Sequence, residues 1–96
     1  MNKNLISLDE LYKIIKSKEL DNKIISFGYS KRKGKKYYVI LRENLKPVHF
    51  GAIDYEDFLI HKDPIRREKF RKRFRTLYEK NKYNPRSSIF WSWLLW

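Results

Sequence analysis

Apolar residues along this chain change their period as one reads from the N-terminus. In the first stretch Leu8, Leu11, Tyr12 and Ile15 recur at three- and four-residue spacing, which predicts one face of an α-helix. Ser7-Leu8-Asp9-Glu10 ahead of them reads as a capping box, with Ser7 covering the Glu10 amide and Glu10 reaching back. Ile6 is placed to staple onto Leu11, and the helix should end near Ser17. Asp9 and Glu10 at its start, with Lys13, Lys16 and Lys18 toward its end, suit the helix dipole. After a turn at Asp21-Asn22 the period shortens to two. Ile24 to Tyr29 predicts a strand with Ile25, Phe27 and Tyr29 on one face, and Gly28 marks a bulge or a close backbone approach. Tyr37-Tyr38-Val39-Ile40-Leu41 is apolar on both faces, as a central strand would be. Glu43 to Lys46 supplies a turn, and Pro47 to Gly51 a short third strand with its proline at the start or on an edge. Two hairpins thus join three antiparallel strands.

From Asp63 the helical period returns. Asp63-Pro64 is a helix start, Asp63 capping and Pro64 standing at the first helical position, where its missing N–H costs nothing. Phe70, Phe74, Leu77 and Tyr78 then mark one narrow face, and the helix should run from Pro64 to about Lys80. Asn81 to Pro85 breaks it, and Asn84-Pro85 opens a further helical turn. The chain closes on Ser88-Ile89-Phe90-Trp91-Ser92-Trp93-Leu94-Leu95-Trp96, too apolar to lie in water. Packing on the sheet is the favoured fate for this tail, a homodimer contact the next, a membrane interface the least.

These elements make an α+β fold: N-terminal helix, three-stranded antiparallel sheet, long basic helix and aromatic helical C-terminus. The chain has 96 residues, enough for one small domain, with 1–20 as an N-terminal helical addition and 23–96 as the α+β core. The expected core is Leu11, Ile15, Ile25, Phe27, Val39, Leu41, Phe50, Phe70, Phe74, Leu77, Trp91 and Leu95. An apolar fraction of 42% with seven Tyr, six Phe and three Trp excludes a wholly disordered chain.

Charge changes the picture more than composition does. The formal net charge is +12. Residues 1–60 carry 12 Lys/Arg against 8 Asp/Glu, whereas residues 61–96 carry 11 against 3, so the excess gathers in the last third. Seven of the ten residues from Arg66 to Arg75 are basic, and only Glu68 opposes them. Such repulsion destabilises a compact domain and is relieved by an anionic partner: nucleic acid, an anionic membrane surface or an acidic protein.

Other chemistry has little to stand on. There is no cysteine, hence no disulfide and no thiolate metal site. His49 and His61 are too few to make a metal centre alone. Asp54, Glu56 and Asp57 lie close in sequence, but no glycine-rich ligand loop accompanies them. They are expected to serve as counter-charges or caps for the basic helix. No stretch has the ~20 apolar residues of a membrane span, and no secretory signal is expected at the N-terminus. The expectation is no enzyme, no cofactor, no metal and no small-molecule substrate.

Nucleic acid is the partner that fits best, because lysine and arginine neutralise phosphates and release counterions. The expected binding residues are Lys31, Arg32, Lys33, Lys35 and Lys36 of the first hairpin loop. To these the helix adds Arg66, Arg67, Lys69, Arg71, Lys72, Arg73 and Arg75. With no helix-turn-helix, zinc-finger or RNA-recognition signature, sequence preference should be weak. Tyr37 and Tyr38 are candidates for base stacking, but aromatic residues suit strands in any case, and the favoured reading puts one in the core and the other on the second sheet face.

The segments S-K-R-K-G-K-K-Y-Y-V (30–39), V-H-F-G-A (48–52), Y-E-D-F-L-I-H-K-D (55–63), R-R-E-K-F (66–70) and N-P-R-S-S-I-F-W-S-W-L-L-W (84–96) occur in this order. Together they resemble a family of short, basic proteins of large double-stranded DNA viruses of amoebae and algae, with H-F-G-A, H-K-D and W-x-L-L-W-type motifs. The resemblance covers about residues 25–96 and leaves out the N-terminal helix. It implies no assigned activity. It does imply a viral origin, and joined to the basic residues the expectation is a viral accessory or packaging role, with DNA a more natural partner than RNA. The implied locations are the virion, or in the infected host cell a cytoplasmic viral factory or the nucleus. The alternative is a structural or interaction protein of the virion that forms a homodimer through its aromatic C-terminus.

Overall fold

The computed structural model describes residues 4–96; residues 1–3, the first of the expected N-terminal addition, lie outside the described residues. Helix α1 spans Leu8–Ser17 and is capped by Ser7, whose Oγ accepts from the Glu10 amide at 3.2 Å. Ile6 and Leu11 are both buried, as a staple requires. A short 3₁₀ turn, Asp21–Lys23, leads into β1 (Ile24–Tyr29), followed by β2 (Lys35–Leu41) and β3 (Pro47–Ala52). The sheet is antiparallel in the order β1-β2-β3, with β2 central. The four-residue helix α2 (Phe58–His61), the long helix α3 (Pro64–Asn81) and α4 (Ser88–Ser92) complete the chain, and a 3₁₀ turn follows at Trp93–Leu95. The molecule is therefore α+β.

One face of β2 and β3 supplies the core. Tyr37, Val39 and Leu41 alternate along β2, Tyr37 opposite Phe50 and Val39 opposite Val48, and all five are buried. Leu11 and Ile15 of α1 belong to the same cluster, so α1 is integral to the core. The tail closes it. Trp91 and Leu95 are fully buried, and the Trp91 ring lies 6.1 Å from that of Phe50. Three hydrogen bonds fix this segment: Ser88 Oγ to the His49 carbonyl, the Gly51 amide to Ser92 Oγ, and Trp91 Nε1 to the Pro85 carbonyl.

The structure corrects the expected core in two places. Ile25 is 50% exposed, and Ile24 is buried instead. The cause is a β-bulge: Ile24 pairs with Leu41 and Ser26 with Ile40, so Ile25 is the extra residue and is turned outward. In α3 none of the residues is buried; Phe70 and Phe74 are half-buried and Leu77 is 47% exposed. Phe27, half-buried, packs on the core edge with Tyr12 stacked on it at 5.6 Å. Gly28 is the close approach rather than the bulge, since a Cβ there would stand 3.0 Å from the Tyr38 ring.

Candidate functional site

Helix α3 begins where Asp63 Oδ1 accepts from the Ile65 and Arg66 amides, with Pro64 next to it. It is held by two aromatic plates from the tail. Phe70 stacks on Trp96 at 4.3 Å with an interplanar angle of 5°, and Tyr78 on Trp93 at 4.1 Å and 7°. This seam divides the helix cations into three sets.

Arg67 and Arg71 lie on the packed flank. The Arg67 guanidinium sits 4.3 Å over the Phe58 ring. Arg71 donates from Nη2 to the main-chain oxygen of Trp96 at 3.1 Å, and its Nε is buried with no partner among the described residues. Both are structural residues in this arrangement, and neither is free to turn to a phosphate without giving up its ring or its main-chain oxygen. Lys72 and Arg75 are exposed on the outer surface. Arg66, Lys69 and Arg73 line a groove, together with Phe70, Phe74 and Leu77. None of the seven is paired with an Asp or Glu side chain among the described residues; the side-chain ion pairs there are Lys36–Asp57, Lys82–Glu79 and Arg86–Glu43.

The hairpin loop divides as well. Lys31, Arg32 and Lys33 are exposed around Gly34, whose φ of +82° makes the turn. Lys35 is half-buried and shares the groove with the helix. Lys36 has to be removed from the expected binding set. It is only 2% exposed, and its Nζ meets Asp57 Oδ2 at 2.8 Å, Asp57 being 3% exposed. Asp57 also caps α2, its Oδ1 accepting from the Leu59 amide. The carboxylate expected to serve the basic helix thus serves the central strand and the short helix before α3. Burial pushes the Asp57 carboxyl above its usual range, against the hydrogen bond and charge of Lys36.

The groove is half-open, holds about 650 Å³ and runs between α3, the tail and the end of the β2–β3 hairpin. Leu77, Phe74, Ile89 and Leu95 give it an apolar floor. Lys35, Arg66, Lys69 and Arg73 stand around it with Tyr55 and Glu56. Sequence reasoning missed the groove because it set the tail against the sheet, a second copy or a membrane, and not against α3, where Trp93 and Trp96 stack. The available signal was that Arg66, Lys69 and Arg73 fall at three- and four-residue spacing beside Phe70, Phe74 and Leu77.

The remaining candidates are dispersed. Tyr37 is fully buried, its hydroxyl accepts from the Ile6 amide at 2.9 Å, and burial pushes its pKa to about 12. Tyr38 lies half-buried beside His49, the rings 6.1 Å apart. His49 Nδ1 is 2.7 Å from Ser30 Oγ; burial first, then the Arg32 and Lys35 charges, hold its imidazole below the usual value. His61 packs against Trp96 at 5.1 Å and its Nδ1 accepts from the Asp63 amide. That bond leaves the ring proton on Nε2, which is buried without a partner among the described residues. Burial, then Arg66, lowers its pKa, while Asp63, Glu56 and Asp57 act the other way. Among the described residues no group of three or more His, Asp or Glu could hold a metal ion, and no helix is long and apolar enough to cross a membrane.

No curated protein and no solved structure matches this chain. A family model does match, over residues 26–74, which is 49 of the 96 residues. The matched stretch opens inside β1 and ends inside α3, so it takes in the whole of β2 and β3, the buried Lys36–Asp57 pair and the start of the cationic helix. The chain belongs to the family described as "Family of unknown function (DUF5754)".

Proposed function

We propose that this protein binds nucleic acid without catalysing a reaction on it, with weak sequence preference and chiefly through phosphates. The observation that carries the reading is the electrostatic state of α3. Its seven lysines and arginines from Arg66 to Arg75 are paired with no Asp or Glu side chain among the described residues, although eleven such carboxylates are present in the chain. Five of the seven, Arg66, Lys69, Lys72, Arg73 and Arg75, are exposed. Lys31, Arg32 and Lys33 add a second exposed cluster. Cations that a protein leaves unneutralised on a rigid rod attract a polyanion, and arginine in particular forms paired bonds to phosphate.

The resemblance seen in the sequence supplies the setting for this proposal: a viral accessory or packaging role, in the virion or in the infected cell's viral factory or nucleus, with DNA ahead of RNA. The homodimer alternative has less support. Trp91 and Leu95 are buried in their own chain, and Trp93 and Trp96 are stacked on α3.

The test is affinity for a mixed-sequence duplex across a salt series. Contact with about five phosphates gives a log–log slope near −4.5. A flat salt response, or no binding at low salt, refutes the reading.

A further inference from the structure

The groove beside α3 gives the nucleic-acid reading a more specific form. Resting on that reading, we propose that the groove receives the bases of an unpaired strand while Arg66, Lys69, Arg73 and Lys35 hold its phosphates. The charge around the groove points this way. Of its two carboxylates, Asp57 is neutralised by Lys36, and Glu56 alone is left to oppose four cations. The floor between them is apolar, and Leu77 on it is 47% exposed. An apolar recess bordered by cations suits a ligand with a flat apolar part and a regular row of negative charge, and an unpaired strand has both.

A duplex does not fit the recess, because its bases are stacked inside and only phosphates and groove edges reach a protein surface. From Arg66 to Arg73 the helix advances about 10 Å, the length of roughly three nucleotides of a stacked strand. Lys72 and Arg75 carry the positive surface onward over the outside of the helix. A polyanion longer than the groove would use that extension; a short acidic peptide seated in the groove would leave it bare.

Charge density makes the proposal separable from simple phosphate binding. A duplex presents a charge every ~1.7 Å, a single strand every ~3.4 Å, so a purely cationic surface favours the duplex. A groove that takes bases reverses the order. The experiment titrates the full chain, at 0.15 M salt, against three labelled 20-mers: oligo-dT, a mixed-sequence duplex and an abasic strand with the same phosphates. The expected result is about tenfold tighter binding of oligo-dT than of either other probe. Leu77→Gln, which keeps the charge and changes a half-exposed helical position, should remove most of that advantage and leave duplex affinity unchanged. Circular dichroism of the variant checks that it is folded. Arg73→Gln should weaken all three probes and lower the salt slope by about 1. Equal affinity for oligo-dT and the abasic strand overturns the groove proposal while salt-dependent duplex binding leaves the general reading standing. Displacement of oligo-dT by an acidic leucine-containing peptide at equal concentration overturns it in favour of a protein ligand. Failure to bind any of the three probes, at 0.15 M and again at low salt, overturns both readings.

Discussion

Replacing Lys36 by methionine separates a buried ion pair from an ordinary surface lysine. Lys36 Nζ and Asp57 Oδ2 are 2.8 Å apart and both side chains are almost wholly out of water. At an effective dielectric constant of about 20 their gross attraction is roughly 6 kcal/mol, set against a desolvation cost of several kcal/mol for each ion. The pair is therefore worth little against two apolar residues, but removal of one partner strands the other. Lys36→Met should destabilise the fold by about 3–5 kcal/mol at pH 7.5. That is a large part of the ~5–15 kcal/mol typical of a domain. The cost should depend on pH. Burial already raises the Asp57 pKa, and Lys36 is the first of the groups that lower it. Without Lys36 the folded-state pKa climbs further above the unfolded value. Between the parent's folded-state value and the variant's, the variant's native state keeps a proton that the parent's has released. Stability of the variant relative to the parent then falls as pH rises, by at most about 1.4 kcal/mol per unit. Urea unfolding followed by tryptophan fluorescence at pH 4.5 and 7.5 measures the difference, and comparison with the parent cancels the general effect of acid. The double variant Lys36→Met/Asp57→Asn removes both charges and keeps an oxygen for the Leu59 amide, so it should return to within about 1.5 kcal/mol of the parent. A deficit for Lys36→Met that is below 1 kcal/mol, on the scale of a surface pair, or equal at both pH values refutes this reasoning.

Asp63→Ala removes the acceptor for the Ile65 and Arg66 amides and should cost about 1 kcal/mol, read by the same urea titration. Gly51→Ala should cost about 1–3 kcal/mol, because φ is +81° there and the new Cβ would lie 3.1 Å from Leu95 Cδ1 and Lys36 Cβ; the midpoint of thermal unfolding reports it. His49 and His61 both have pKa values below the usual 6.5, so the unfolded chain takes up protons that the native state does not. Their contribution is present above pH 6.5 and is lost as pH falls through the folded-state values, so the thermal midpoint should drop between pH 7.5 and 5.5. The double variant His49→Gln/His61→Gln should flatten that drop.

What the sequence made legible was what local chemistry decides. Ser7 and Asp63 cap the helices they were expected to cap, because a cap depends on residues within three positions. The strands follow from alternation. The bulge at Ile25 does not, since an extra residue leaves the composition of a strand unchanged and reverses which side chain turns inward. Lys36 misled for a related reason. It ends a run of loop cations, but β2 already begins at Lys35, and the neutralising carboxylate stands 21 positions later. The helix cations were legible as a set but not as three sets. Whether Arg67 or Arg73 faces solvent depends on what α2 and the tail cover, and no periodicity in α3 contains that information.

The division of α3 also explains the composition of the tail. A helix carrying Arg67, Arg71 and Arg75 at successive four-residue spacings, and Lys69 with Arg73, is opposed by repulsion of some tenths of a kcal/mol per pair. It buries none of its residues, so packing of an apolar face contributes less than it does in most helices of this length. Two stacked aromatic pairs, each worth ~0.5–1.5 kcal/mol beyond the area they cover, are a response that leaves the cations unneutralised. A carboxylate in the place of Trp93 or Trp96 would hold the helix by ion pairing, but would cancel the charge that the helix displays. Phe58 beneath Arg67 acts in the same sense, since a ring face attracts a guanidinium without removing its charge. The aromatic residues and the positive surface are thus two sides of one solution. Variants that neutralise Lys72 or Arg75 should stabilise the free domain by relieving repulsion, and should weaken its hold on a polyanion in the same step.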